Sequence, residues 1–175
     1  LVILNYNGCS FLEKFLPSVI LHSHAHTSIV VGDNASTDNS IAYLKKNYPQ
    51  IKIIELDKNY GFAEGYNQTL KQVHADYYFL LNSDVELTGE WQVMVDYMQE
   101  HIEVAAMQPK IVSFHKKDYF EHAGASGGWI DALAYPFCRC RILDNIEKDE
   151  NQYDSISEIF WASGAAMLVR AELFH

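Results

Sequence analysis

The stretch Tyr77-Tyr78-Phe79-Leu80-Leu81-Asn82-Ser83-Asp84-Val85-Glu86-Leu87 decides how the chain folds. Five large apolar residues in succession suit a strand buried on both faces, and are too few for a convincing helix. The run stops at Asn82-Ser83-Asp84, three small polar residues where the strand must surface. In open α/β sheets, ligands gather at the carboxyl ends of strands. A carboxylate delivered there can hold a divalent cation against a diphosphate, because Mg2+ and Mn2+ favour oxygen ligands. Taken alone, the composition favours a plain turn followed by a helix cap.

Outward from that stretch, strand and helix signals alternate. Leu1 to Leu4 is a short apolar strand turning at Asn5-Tyr6-Asn7-Gly8. Phe11, Leu12, Phe15, Leu16, Val19 and Ile20 then recur at helical spacing, with Pro17 expected to bend or restart the helix. Ser28 to Gly32 reads as a second strand, followed by Asp33-Asn34-Ala35-Ser36-Thr37-Asp38 and a helix through Lys46, capped by Ser36 or Asp38. Ile51 to Leu56 is a third strand, followed by Asn59-Tyr60-Gly61 and a helix from Phe62 to Val73. Trp91, Val95 and Met98 mark a helix after the opening stretch. This order predicts an α/β fold: a mostly parallel, doubly wound sheet with helices on both faces. Asn5 and Asn7, Asp33 and Asn34, Asn82 and Asp84 close three of the four strands, and the third supplies Asn59 and Gly61. A plain turn does not explain that convergence.

After Gln108 the rhythm changes to short strands, expected at Ile111–Phe114, Tyr119–Ala123, Trp129-Ile130, Arg139–Leu143 and Met167–Val169, with a helix opening at the end. Residues 124–128 are a flexible glycine-rich loop, and 144–154 an exposed acidic one. Cys138 and Cys140 are expected on one side of a single strand. His22, His24 and His26 lack an acidic or cysteine companion and read as a solvated loop.

The 175 residues are 49% hydrophobic and carry a formal charge of −10, which disfavours a nucleic-acid partner. No apolar run is long enough for a transmembrane segment. Three cysteines form no disulfide framework, which suits a reducing compartment. Leu1 opens inside an apolar run and His175 closes inside a helical turn, so a fragment of a longer protein is expected. No Gly-X-Gly-X-X-Gly follows a strand, against a dinucleotide oxidoreductase. The first turn lacks the glycine-rich, basic character expected of a sugar nucleotidyltransferase.

Five phrases carry a resemblance: Leu1 to Gly8, Val31 to Asp38, Asn59 to Asn67, Leu80 to Val85 and Gly164 to Arg170. In this order they resemble family 2 glycosyltransferases of the GT-A fold, in their rhamnosyltransferase-like branch. The resemblance implies one catalytic domain over 1–175, incomplete at its C-terminus, with a nucleotide-binding half (1–108) and a sugar and acceptor half (109–175). It implies that Leu4, Asn5 and Tyr6 run along a nucleotide base and that Asp33, with Asn34, accepts hydrogen bonds from base or ribose. Asn59, Gly61 and Asn67 would border or brace the pocket. Asn82-Ser83-Asp84 stands where the family has Asp-X-Asp, so Asn82 and Ser83 would face the nucleotide and Asp84 would hold Mg2+ or Mn2+. Residues 124–129 and 161–165, with Gly127, Trp129, Trp161 and Gly164, are expected on the sugar side. The resemblance further implies bacterial polysaccharide synthesis: transfer with inversion from a UDP- or dTDP-linked sugar to a saccharide or lipid-linked acceptor, in the cytoplasm near the inner membrane face. The general base is expected after His175. The rival reading is a binding or scaffolding domain that kept the fold without the catalysis.

Overall fold

The Tyr77–Asn82 run forms β4 of a six-stranded sheet. The computed structural model describes residues 1–122 and 124–174. The sheet's other strands are β1 (Val2–Asn5), β2 (Val30–Asp33), β3 (Lys52–Glu55), β5 (Ala106–Met107) and β10 (Ala166–Arg170). Their order is β3-β2-β1-β4-β10-β5. The first four are mutually parallel, while β10 runs antiparallel to both β4 and β5.

Successive side chains of a strand point to opposite faces, and in β4 both faces are covered. Phe79 and Leu81 pack with Ile3 and Val31 under α1 (Cys9–Leu21), α2 (Ser40–Asn47) and α4 (Val93–Glu100), through Leu12, Leu16, Leu44 and Met98. Tyr78 and Leu80 pack with Val2, Val30 and Ile54 under α3 (Phe62–Leu70), through Tyr66 and Leu70. The doubly wound sheet expected from the alternation is the architecture found. Strands β1, β2 and β3 build outward to one side, and β4 returns to the other side of β1. The switch point therefore lies at the carboxyl ends of β1 and β4. Register aligns Asn5 with Asp33 and Leu4 with Asn82, which sets the polar strand ends in a row.

Several local expectations are corrected. Pro17 lies inside a continuous thirteen-residue α1. It sits on the exposed side, where the carbonyl it leaves unbonded can face water. Helix α2 starts at Ser40: Asp38 Oδ1 accepts from Ser40 N at 2.9 Å, while Ser36 is used elsewhere. Helix α3 stops at Leu70. The strands expected at Ile111–Phe114 and Tyr119–Ala123 reduce to isolated bridges, Val112 with Phe120 and Tyr119 with Lys148, and Ala123 lies outside the described residues. In place of one Arg139–Leu143 strand there are two hairpins, β6 (Gly128–Ile130) with β7 (Pro136–Cys138) and β8 (Arg141–Ile142) with β9 (Asn145–Ile146). Cys140, at φ 68°, breaks the chain between them, so the two thiols do not share a strand face. Asp149 and Asp154 both pair with Lys110, at 2.7 and 2.6 Å, which ties down the acidic segment. The terminal helix is a 3-10 turn over Ala171–Leu173.

Arg170 explains the end of the last phrase. Its guanidinium donates to the carbonyls of Met98, His101 and Val104 and reaches the Tyr77 hydroxyl. It thus satisfies orphan carbonyls at and beyond the C-terminus of α4. Among the described residues no helix is long and apolar enough to cross a membrane.

Candidate active site

The loops after β1 and β2 are sewn together at the sheet edge. Asn5 is fully buried and donates its amide to Asp33 Oδ1 at 2.9 Å and to Ser36 Oγ at 3.1 Å. Asp33 Oδ2 accepts from Ser36 N at 2.8 Å. Asn7, in the left-handed region at φ 50°, accepts from Thr37 N at 2.7 Å, and its own N–H donates to Ser36 Oγ. Asp38 accepts from Cys9 N at 2.9 Å, tying the second loop to the start of α1. Burial pulls the Asp38 carboxyl upward, but the bonds from Ser40 and Cys9 outweigh it and hold it below the usual aspartate range. Gly8 is required here because a Cβ would come within 2.5 Å of Asn5 Oδ1.

Asn34 holds the neighbouring loop. Its amide donates to Asn59 Oδ1 and to the Gly61 carbonyl, both at 2.9 Å, and its oxygen accepts from Tyr60 N at 2.8 Å. Asn59 Oδ1 accepts a further bond from Gly61 N at 2.7 Å. Gly61, at φ 75°, has the left-handed backbone that lets this loop enter α3.

At the end of β4, Asn82 N donates to the Ala165 carbonyl, so the residues before β10 lie beside the Asn82 turn. A cleft of about 950 Å3 opens there, lined by Asn82, Asp84, Phe62 and Gly164 near the strand end. Phe11, Lys14, Phe15, Phe114 and Lys117 line it further out. Asp84 is exposed at this cleft, and its carboxylate forms no hydrogen bond or ion pair among the described residues. Glu86 also lines it and lies 3.5 Å from Lys117. Lys14 sits 4.0 Å from the Phe114 ring centroid, a cation–π contact joining α1 to the loop after β5.

The structure brings Leu4, Asn5, Asp33, Asn34, Asn59, Gly61, Asn82, Ser83 and Asp84 to this one edge. Tyr6 follows β1 and is half exposed. Asn67 turns away, donating to Glu64 at 3.1 Å on the surface of α3. Of the residues expected on the sugar side, Gly164 lines the cleft, whereas Gly127, Trp129 and Trp161 do not. The Trp161 indole lies flat against the backbone, where a Cβ on Gly124 or Gly128 would collide with it, and its N–H donates to the Trp129 carbonyl at 3.2 Å. That ring face is filled by the chain itself.

Sequence reasoning missed the cross-loop bonds of Asn7 and Ser36, although Asn7-Gly8 is a left-handed turn signal. It also missed Phe62, whose ring would lie 3.1 Å from a Cβ on Gly164 and so bridges the two sides of the cleft. Lys14 and Phe114 are a hundred residues apart and gave no signal.

A doubly wound sheet with antiparallel β10, a polar row at its switch point and a free aspartate beside it define a GT-A-like fold. The family model described as Glycosyl transferase family 2 matches residues 1–173, and the chain belongs to that family. It is 23% identical over 188 residues to an N-acetylglucosaminyl-diphospho-decaprenol L-rhamnosyltransferase of Mycobacterium tuberculosis, covering 99% of this chain and 61% of that protein. It is 26% identical over 149 residues to the putative teichuronic acid biosynthesis glycosyltransferase TuaG of Bacillus subtilis, covering 78% of this chain and 57% of that one. The chain thus spans roughly three fifths of these relatives. Among solved structures, S. aureus TarS 1-349 superposes with a TM-score of 0.61 at 17% identity, over 98% of this chain and 46% of that one. The mannosyltransferase PcManGT of Pyrobaculum calidifontis, solved with GDP-Man and Mn2+, gives 0.56 at 18% identity, over 63% and 34%. These two likenesses establish the fold.

Proposed function

We propose that the protein moves a sugar, with inversion, from a UDP- or dTDP-linked donor to a hydroxyl of a saccharide or lipid-linked acceptor, at the cytoplasmic membrane face. The observation that carries this reading is the unpartnered Asp84 carboxylate, beside the row of Asn5, Asp33 and Asn82. The relatives support this reading: one is an N-acetylglucosaminyl-diphospho-decaprenol L-rhamnosyltransferase and another a putative teichuronic acid biosynthesis glycosyltransferase.

In this reading the polar row takes the nucleoside, with Asp33 and Asn5 preset by their mutual hydrogen bond and Asn34 holding Asn59 and Gly61 in place. Asp84 fits a divalent cation. Among the described residues no group of three or more His, Cys, Asp or Glu is gathered for one. Mg2+ and Mn2+ need no such cage, because one or two carboxylates, water and substrate phosphates suffice. When bound, the ion would stabilise the negative charge of the departing diphosphate. Asn82 would stay on the ribose side, and the 950 Å3 cleft beyond Asp84 would take the acceptor. The acceptor hydroxyl needs a general base, which this reading places beyond His175.

The test is titration calorimetry with UDP, dTDP and GDP, each with and without Mn2+, on the wild type and on Asp84→Ala. Metal-dependent binding of one nucleotide, abolished in Asp84→Ala, is expected. Binding that ignores both the metal and the substitution would overturn the assignment of Asp84.

A further inference from the structure

The hairpins of the second half expose apolar side chains at their tips. In the turn joining β6 to β7, Leu133 is 77% and Tyr135 68% exposed. At the β8–β9 tip, Ile142, the last residue of β8, is 73% exposed, and Leu143, which opens the Leu143-Asp144 turn, is 82% exposed. Turns of this kind ordinarily carry Asn, Asp or Gly. Leu143 also sits at φ 53°, a left-handed conformation that leucine rarely adopts. A polar residue or glycine there would relieve both the exposure and the strain.

The first tip is rigid. Asp131 accepts from Leu133 N at 2.8 Å and Tyr135 N at 2.9 Å, and the Asp131 N–H closes onto the Tyr135 carbonyl at 3.0 Å. With the carboxylate bound inside the turn, Leu133 and Tyr135 form its outer surface. Behind them, Trp129 stands directly opposite Phe137, on the same hairpin face, and the Arg139 guanidinium lies 5.2 Å from the Trp129 ring centroid. Arg139 donates to Ser157 and Arg141 to the His122 carbonyl, and neither forms an ion pair among the described residues. They are two of the chain's three arginines.

We infer that the β6–β7 hairpin, assisted by the β8–β9 tip, docks on a phospholipid bilayer. The depth order is that of an interfacial anchor. An aliphatic tip enters the acyl boundary, Tyr and Trp sit at headgroup level, and arginines without carboxylate partners meet the lipid phosphates. A protein partner would be served by a flat face, whereas Leu133 and Tyr135 are carried at the apex of one narrow turn and Leu143 at the apex of another. The inference rests on the proposed function in one respect: a lipid-linked acceptor is reached only at a bilayer.

The experiment is co-sedimentation of the protein with vesicles of phosphatidylcholine, and of phosphatidylcholine and phosphatidylglycerol in equal parts. Wild type, Leu133→Ser/Tyr135→Ser, Arg139→Gln/Arg141→Gln and Arg139→Lys/Arg141→Lys are compared, with nucleotide affinity measured on the same samples. The protein is expected to bind both vesicles, more tightly the anionic ones. The tip variant should lose about tenfold or more on both. The glutamine pair should lose roughly fivefold per arginine on anionic vesicles, and the lysine pair should restore most of it. Wild type that stays in the supernatant, or a tip variant that binds like wild type, overturns the proposal. So does a tip substitution that lowers the protein's mass in solution, which would make this a protein interface. If nucleotide binding persists through these failures, the membrane inference falls alone; if wild type binds no nucleotide, the function reading falls separately.

Discussion

Replacing Asn34 with alanine removes a side chain that is 2% exposed and makes three hydrogen bonds. Each such bond contributes about 1 kcal/mol net, and a buried group left unpaired costs more. The Tyr60 and Gly61 groups that lose a partner sit on a partly exposed loop and can be rehydrated. The balance is a loss of about 2–3 kcal/mol. For a domain of this size that lowers Tm by about 5–10 °C. The loop carrying Asn59 and Gly61 would also be freed, so nucleotide affinity should fall by about tenfold, the equivalent of one residue's ordering entropy. Urea unfolding, followed by circular dichroism, and calorimetry on the same protein read the two effects. Asn34→Asp sharpens the test. It keeps an acceptor for Tyr60 N but turns a second oxygen toward Asn59 Oδ1 and the Gly61 carbonyl. It should therefore be at least as damaging as alanine at neutral pH. Its deficit should shrink as acid protonates the new carboxylate, which can then donate. An alanine variant within about 0.5 kcal/mol of wild type, in the range of an ordinary surface change, would refute the clamp.

Gly128→Ala places a methyl inside the Trp161 indole; a loss of about 1–3 kcal/mol is expected from overpacking, read by urea titration, with little change in nucleotide affinity because this contact lies outside the cleft. The Lys110 ammonium foremost holds the Asp149 carboxyl below its usual range. A depressed folded-state value means the stabilisation is full above the ordinary aspartate range and is lost as pH falls through the folded value. Thermal melts should therefore separate wild type from Asp149→Asn at neutral pH and converge in acid; a gap that persists in acid would contradict the pairing.

The first half was legible because its strands are apolar runs of four to six residues bounded by Asn, Asp and Gly. Their alternation with helices leaves one topology. The strand ends could be read as a site because parallel strands carry their carboxyl ends to one edge. Asn67 could not be placed so simply, since a helix surface offers it Glu64 as readily as the pocket. The hairpins of the second half resisted because their strands are two or three residues long, too short to show a period. Pro136 opens β7, one of the few strand positions a proline can take, so it gives no signal of a strand beginning there. Lys110 meets Asp149 across a separation that no local pattern announces. Trp161, expected on the sugar side, packs on the Gly124 and Gly128 backbones, a contact that no local pattern announces.

The three aspartates of the edge do different work, and that difference is testable. Asp33 is 2% exposed and receives Asn5 Nδ2 and Ser36 N; Asp38 receives Cys9 N and Ser40 N. Their charges are answered by N–H groups that fix the loops, as charge-assisted bonds do. Asp84 receives no such bond among the described residues, and none of Asn5, Asp33, Asn82 or Asp84 is basic. In the proposed reading a diphosphate at this edge comes with a cation, and Asp84 is the aspartate free to hold it. Asp33→Asn should set an amide N–H against the Asn5 donor or the Ser36 N–H, costing about 1–3 kcal/mol and lowering Tm with or without Mn2+. Asp84→Asn should leave Tm of the metal-free protein within a degree or so of wild type, as an exposed change with no partner to lose, yet erase the stabilisation that Mn2+ and nucleotide together give wild type. Thermal shift with and without Mn2+ and UDP or dTDP separates the two. A destabilised metal-free Asp84→Asn, or an intact Mn2+ effect in it, would mean that Asp84 serves the fold and that the cation is held elsewhere.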